Sequence, residues 1–271
     1  MNTIKLSIEE LIFSFYSEGL YEQGISLKEA FFSDINDSEL QMMLEIASRS
    51  LMAKDMIKEV NGHYKLKDEY TGYIQILSHA ECTIQFSKFS PDLSKEEALS
   101  IHIHNGKVFA HEVLYDQQIH TINKLSEKEA NQLITSRFSH KTLPKDRKII
   151  TTLTNENFEQ LLEEVSQTTL LSSDRTDKWI SQIQPVDADL FTDFINDMFS
   201  RKARLDSMLL LTYDNNNNPS VADLCFVIPG KETDWLISKN PENQFNLESA
   251  SKDFLESFVP SSIFKLRASS F

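Results

Sequence analysis

Two stretches of this 271-residue chain, 82–138 and 205–259, run through the same succession of elements about 120 residues apart. That repetition limits the possible folds more than any single motif does. In the first stretch, Cys82-Thr83-Ile84-Gln85-Phe86-Ser87-Lys88-Phe89 reads as a strand. A polar turn over 90–96 leads to strands 97–104 and 107–114, joined by Asn105-Gly106, the strongest short hairpin signal a sequence carries. A further strand near 117–123 feeds a helix over 126–138, opened by the capping box Ser126 and Glu129. The second stretch reads as strand 207–213, a polar turn from Asp214 to Pro219, strand 221–228, a turn at Pro229-Gly230, strand 233–238, a short strand near 244–247 and a helix over 249–259. Gly106-Lys107 coincides with Gly230-Lys231, and Ile122-Asn123-Lys124-Leu125-Ser126 resembles Phe245-Asn246-Leu247-Glu248-Ser249. The expected fold class is therefore α+β, with pseudo-two-fold duplicated antiparallel sheet units and helices packed on them.

Ahead of the repeat, Ser7 and Glu10 form another capping box, and Ile8, Leu11, Ile12 and Phe15 recur at helical spacing until Gly19, which predicts a helix over 7–19. A short helical piece around 26–33 follows. Asp37 then caps a helix over 37–54 whose apolar stripe is Leu40, Met43, Leu44, Ala47 and Leu51. Ile57–Val60 and His63–Leu66 flank Asn61-Gly62 as a hairpin, so residues 1–70 have the outline of a winged helix. Between the repeats, helices at about 155–167 and 187–202 offer the apolar faces Phe158, Leu161, Leu162, Val165 and Leu190, Phe191, Phe194, Ile195, Met198. The chain is thus one compact domain with an N-terminal segment (1–70), a first half (71–140), connecting helices (141–204) and a second half (205–271).

Composition removes several functions. Six glycines leave little material for phosphate-cradling loops. Lys and Arg number 27 against 41 Asp and Glu, a formal charge of −14, which opposes nucleic acid and anionic membrane surfaces alike. The helix over 37–54 sets Asp37, Glu39 and Glu45 against only Arg49 and Lys54, so it is unsuited to a DNA groove. Cys82 and Cys225 sit in apolar stretches and read as buried reduced thiols. The acidic N-terminus and the lack of a long apolar run point to a cytoplasmic protein. A basic stretch, His140, Lys141, Lys145, Arg147 and Lys148, reads as a soluble linker, with an acidic partner or the chain's own acidic surface as the alternative.

No catalytic signature, P-loop, His-Glu-x-x-His or EF-hand spacing occurs, and the Asp214–Asn218 run lacks the later bidentate acid of a calcium loop. No catalytic residue, cofactor or metal is expected. Three histidines need a geometric test. With Asn105-Gly106 as the turn, His104 pairs with Lys107 and His102 with Phe109, so His102, His104, Phe109 and His111 share one face of the hairpin. Leu99, Ile101, Ile103, Val108 and Ala110 form the opposite, core face. An aromatic flanked by imidazoles suits an interface, and the repeat offers Trp235 at the related place. Phe109, His102, His104, His111 and Trp235 are the expected partner-binding residues.

The order of elements resembles the EspG family of type VII (ESX/WXG100) secretion chaperones over about residues 5–260. The resemblance rests on the opening Leu6-Ser7-Ile8-Glu9-Glu10-Leu11, the helix ending near Leu51 before Ile57-Lys58-Glu59-Val60-Asn61-Gly62, and the passage into Tyr73–Leu77. It implies a cytosolic, non-enzymatic adaptor that binds a helical secreted substrate. Lys outnumbers Arg 20 to 7, which within this resemblance favours a Gram-positive locus with WXG100- or LXG-type substrates. Two other readings stay open. One is a toxin-neutralising immunity protein acting through its acidic surface, and the other is a metal-dependent hydrolase built on His102, His104 and His111.

Overall fold

A computed structural model of the chain describes residues 3–138, 143–167, 172–259 and 263–264. The first half runs β1 (Thr3–Ser7), α1 (Ile8–Ser17), α2 (Tyr21–Phe31), α3 (Asp37–Ala53), the hairpin β2 (Ile57–Val60) and β3 (His63–Leu66), and α4 (Asp68–Gln75). It continues with β4 (Cys82–Phe89), β5 (Glu96–His104), β6 (Lys107–Leu114), β7 (Ile119–Leu125) and α5 (Glu127–Phe138). The second half runs β8 (Lys148–Leu153), α6 (Asn155–Gln167), α7 (Ser173–Ile183), α8 (Ala188–Ser200), β9 (Asp206–Tyr213), β10 (Pro219–Ile228), β11 (Trp235–Lys239), β12 (Phe245–Ser249) and α9 (Lys252–Phe258).

Ten of these strands form one antiparallel sheet in the order β1-β7-β6-β5-β4-β9-β10-β11-β12-β8. The order explains the repeat and lengthens it. Each half starts on an outer strand, crosses through helices to the centre, then returns outward as a four-strand meander. β8 and α6–α8, which lie within the 141–204 stretch, take the place in the second half that β1 and α1–α4 take in the first. The halves meet where β4 pairs with β9, from Cys82↔Thr212 to Ser87↔Ser207.

Both faces of the sheet are covered. On one, Ile84, Ile101, Val108, Met208, Cys225 and Leu236 pack under Ala130 and Ile134 of α5 and Phe254 and Phe258 of α9. The other carries two separate cores. Leu11, Phe15, Leu51, Tyr70 and Tyr73 sit over Phe109 and Ile122. Phe158, Leu161, Trp179, Phe191 and Phe194 sit over Ile228, Trp235, Ile237 and Leu247.

Both Asn-Gly hairpins form where expected. The capping boxes at Ser7/Glu10 and Ser126/Glu129 are made, and helix, helix, helix, hairpin is the order of α1, α2, α3 and β2–β3. Asn36, not Asp37, caps α3 and forms its own box with Glu39. α4 forms where Tyr70, Tyr73 and Ile74 bury one helical face. β1, α4, β8 and α7 have no counterpart in the sequence reading.

One buried carboxylate ties α1 to α3. Glu10 is 3% exposed, and it accepts from Ser7 N (2.8 Å), Ser50 Oγ (2.7 Å) and Lys54 Nζ (2.6 Å). Glu10→Ala strands those donors and is expected to cost about 2–4 kcal/mol in urea unfolding. A loss under about 1 kcal/mol would show that the network does not hold the two helices together.

Candidate functional site

Strand register on the doubly cored face aligns residues in rows across β6, β5, β4, β9 and β10. One row is His111, Ser100, Gln85, Leu209 and Leu224. The next is Phe109, His102, Thr83, Leu211 and Val221. Leu209, Leu211 and Leu224 are half-buried, Gln85 is exposed, and Val221 is 63% exposed. None of them belongs to the cores formed by the two helical groups that flank them. The centre of this face is therefore a strip, polar toward the first half and apolar toward the second, at the junction of the two halves.

Histidines border the polar end. His102 and His111 come together as expected, with ring centroids 5.9 Å apart, but the third member is His120 of β7. Its ring stacks on His111 at 5.2 Å, and His111 Nε2 lies 2.9 Å from His120 Nδ1. Alternation along the strand near 117–123 put His120 on this face, and that signal went unused. His104 makes its contacts elsewhere: its Nε2 accepts from Asn105 Nδ2 at 2.8 Å, and its Nδ1 stands 3.6 Å from Glu81 Oε1. A chain of contacts leads from Tyr213 Oη to Thr83 Oγ1 (3.2 Å) and on to His102 Nδ1 (2.9 Å).

Burial keeps these rings neutral. It lowers His102 to about 4, and it lowers His111 to about 3 with help from the neighbouring His102 and His120. His120 is lowered as well, again chiefly by burial. Among the described residues, no group of three or more His, Cys, Asp or Glu is arranged to hold a metal ion. Cys82 and Cys225 are free and buried, with burial pushing the Cys82 thiol up to about 12 and raising Cys225 as well. Such thiols are poor nucleophiles. The Asp214 carboxylate is taken up by its own loop, accepting from the backbone N–H groups of Asn216 and Asn218.

The expected aromatic anchors lie inside the chain. Phe109 is 3% exposed and meets Tyr73 edge-on at 5.1 Å. Trp235 is 1% exposed, donates from Nε1 to Asp197 Oδ2 at 2.8 Å and stands edge-on to Phe194. Gly230 permits that arrangement, since a Cβ there would fall 2.2 Å from Asp197 Oδ2. The expectation that these two rings stand free for a partner is corrected: helices cover both faces of the sheet, so the face opposite the hairpin core is itself a core. In the basic stretch, Arg147 forks onto the fully buried Glu248, and Lys148 pairs with Asp187. His140 and Lys141 lie outside the described residues.

The family profile described as "Uncharacterised protein YfjC" matches residues 3–259. A protein of that name from Bacillus subtilis (strain 168) is 38% identical over 260 residues, covering 96% of this chain and 99% of its own. The type VII secretion chaperone EspG5 of Mycobacterium tuberculosis, solved in complex with a PE25-PPE41 dimer, superposes with a TM-score of 0.60 at 8% identity. The match covers 97% of this chain and 94% of that one, and the two share a fold. No helix among the described residues is long and apolar enough to cross a membrane.

The histidine cluster sets a pH dependence. An unfolded chain takes up protons at His102 and His111 below about 6.5, whereas the folded chain does not until about 4 for His102 and about 3 for His111, so stability decreases as pH is lowered through that interval. The slope is at most about 1.4 kcal/mol per pH unit for each histidine. Urea unfolding of the parent and of His111→Asn between pH 7.5 and 5 should show the parent losing stability faster. Parallel curves would mean that His111 titrates alike in both states.

Proposed function

The chain belongs to the YfjC family, and from that membership, its fold and the open strip we propose that it is a non-enzymatic adaptor that holds a helical protein partner. The uncovered strip carries the reading. In a sheet otherwise covered on both faces, Leu209, Leu211, Leu224 and Val221 stay partly or largely open where the two halves join. A helix laid along such a strip would bury its apolar side on these residues and meet Gln85, Ser100, His102 and His111 on the polar side. On this reading His102 and His111 face the partner from the polar end, while Phe109 and Trp235 belong to the two flanking cores.

Support for a helical occupant comes from EspG5, whose solved complex holds a PE25-PPE41 dimer in the same fold. On this reading the protein works in the cytoplasm, and its partner is a helical secreted protein of the WXG100 or LXG type. The bond is a docking contact, so affinity resides in a few central apolar side chains and not in any covalent step.

Coexpression with helical proteins encoded beside it should yield a complex that copurifies. The double variant Leu209→Ser with Leu211→Ser should weaken capture at least tenfold while melting within a few degrees of the parent, since each residue is only half-buried. Undiminished capture by that variant would remove the strip as the docking site. Protection of cells from an adjacent toxin, with no helical protein captured, would replace the adaptor by an immunity protein.

A further inference from the structure

A second, smaller site lies between α4 and the tip of the β5–β6 hairpin. A cavity of about 270 Å³ is lined by Gly72, Gln75, Ile76, His79, His104, Lys107 and Phe109. Its floor is apolar, with Ile76 and Phe109 both buried. Its rim is basic in a chain whose net charge is −14. Lys107 is exposed and makes no ion pair among the described residues. His79 donates from Nδ1 to the carbonyl of Gln75 at 3.2 Å, which leaves Nε2 as a hydrogen-bond acceptor at the rim. That carbonyl also accepts the N–H groups of Ser78 and His79, which close the C-terminal end of α4.

Two further observations point to a ligand here. His104 Nε2 accepts from Asn105, which assigns the proton to Nδ1. That Nδ1 is buried and has no hydrogen-bond partner among the described residues, with Glu81 Oε1 too far away at 3.6 Å. Gly72 sits inside α4, where glycine weakens a helix, yet a Cβ there would meet only Phe109 Cζ at an ordinary 4.0 Å. The missing side chain keeps the cavity open.

We propose that this cavity binds a small carboxylate with an apolar body. The carboxylate sits against Lys107 and the unpaired Nδ1–H of His104, and the apolar part lies on Phe109 and Ile76. A volume just below the usual range for ligand pockets restricts the occupant to a small molecule. With a single lysine at the rim, the site suits a monoanion better than a doubly charged phosphate. This site is separate from the strip, and its test does not depend on partner capture.

Calorimetric titration of the full chain at pH 7 with phenylacetate, phenylacetamide and inorganic phosphate tests the assignment. Phenylacetate should bind saturably at one site, and the uncharged amide at least tenfold more weakly. Lys107→Gln, at an exposed position, should weaken phenylacetate at least tenfold. Gly72→Leu should abolish binding by filling the cavity while the melting temperature holds, and Gly72→Ala should keep binding and raise that temperature. Equal binding of acid and amide, no saturable phenylacetate binding, a preference for phosphate, or retained binding in Gly72→Leu would each overturn the proposal.

Discussion

The pairing of β4 with β9 is the constraint from which the rest of the molecule follows. Six register pairs, from Cys82↔Thr212 to Ser87↔Ser207, fuse two five-strand units into one continuous ladder. Strands this central have both faces to shield, and the chain shields them asymmetrically. One face is closed by α5 and α9 over a core that crosses the junction, with Ile84 and Phe86 of the first half beside Met208 and Leu210 of the second. The other face is closed in two separate patches, one from each half.

That asymmetry creates the candidate site. Had the helices of either half reached the junction, Leu209 and Leu211 would be core residues like Met208. Instead the two helical groups stop on either side of β4 and β9. The strip inherits one character from each half, with Gln85 and Ser100 on the first and Leu209 and Leu224 on the second. The histidines illustrate the same border. His111 and His120 share a hydrogen bond next to the N-terminal core, so their neutrality is a cost of lying between a packed interior and an open strip.

Helix-end polar groups show how local chemistry is reused at longer range. Glu10 completes a capping box readable three residues from Ser7, then reaches Ser50 and Lys54, at and just beyond the end of α3, which no local pattern announces. Arg147 sits in a stretch that reads as a basic connection, and it forks onto Glu248 of β12, about a hundred residues away, at a position 0% exposed. In both cases sequence shows a charge, and only packing shows what it neutralises.

How much was legible follows from the distance over which each signal acts. Asn61-Gly62 and Asn105-Gly106, the Ser7 and Ser126 caps, and the hairpin register of His102 with Phe109 are properties of a few neighbouring residues, and the chain by itself determined them. The repeat was legible for the same reason, since each meander is built from adjacent strands. β1 and β8 were not, because their partners, β7 and β12, lie about a hundred residues away and a five- or six-residue strand carries little pattern of its own. Exposure was the other quantity that only the tertiary structure decided. Alternation tells which residues share a face, but it cannot tell which faces helices will later cover. For that reason Phe109 and Trp235 went into the interior, His120 joined the histidine cluster, and the open surface fell to Leu209, Leu211 and Val221 at the seam between the halves.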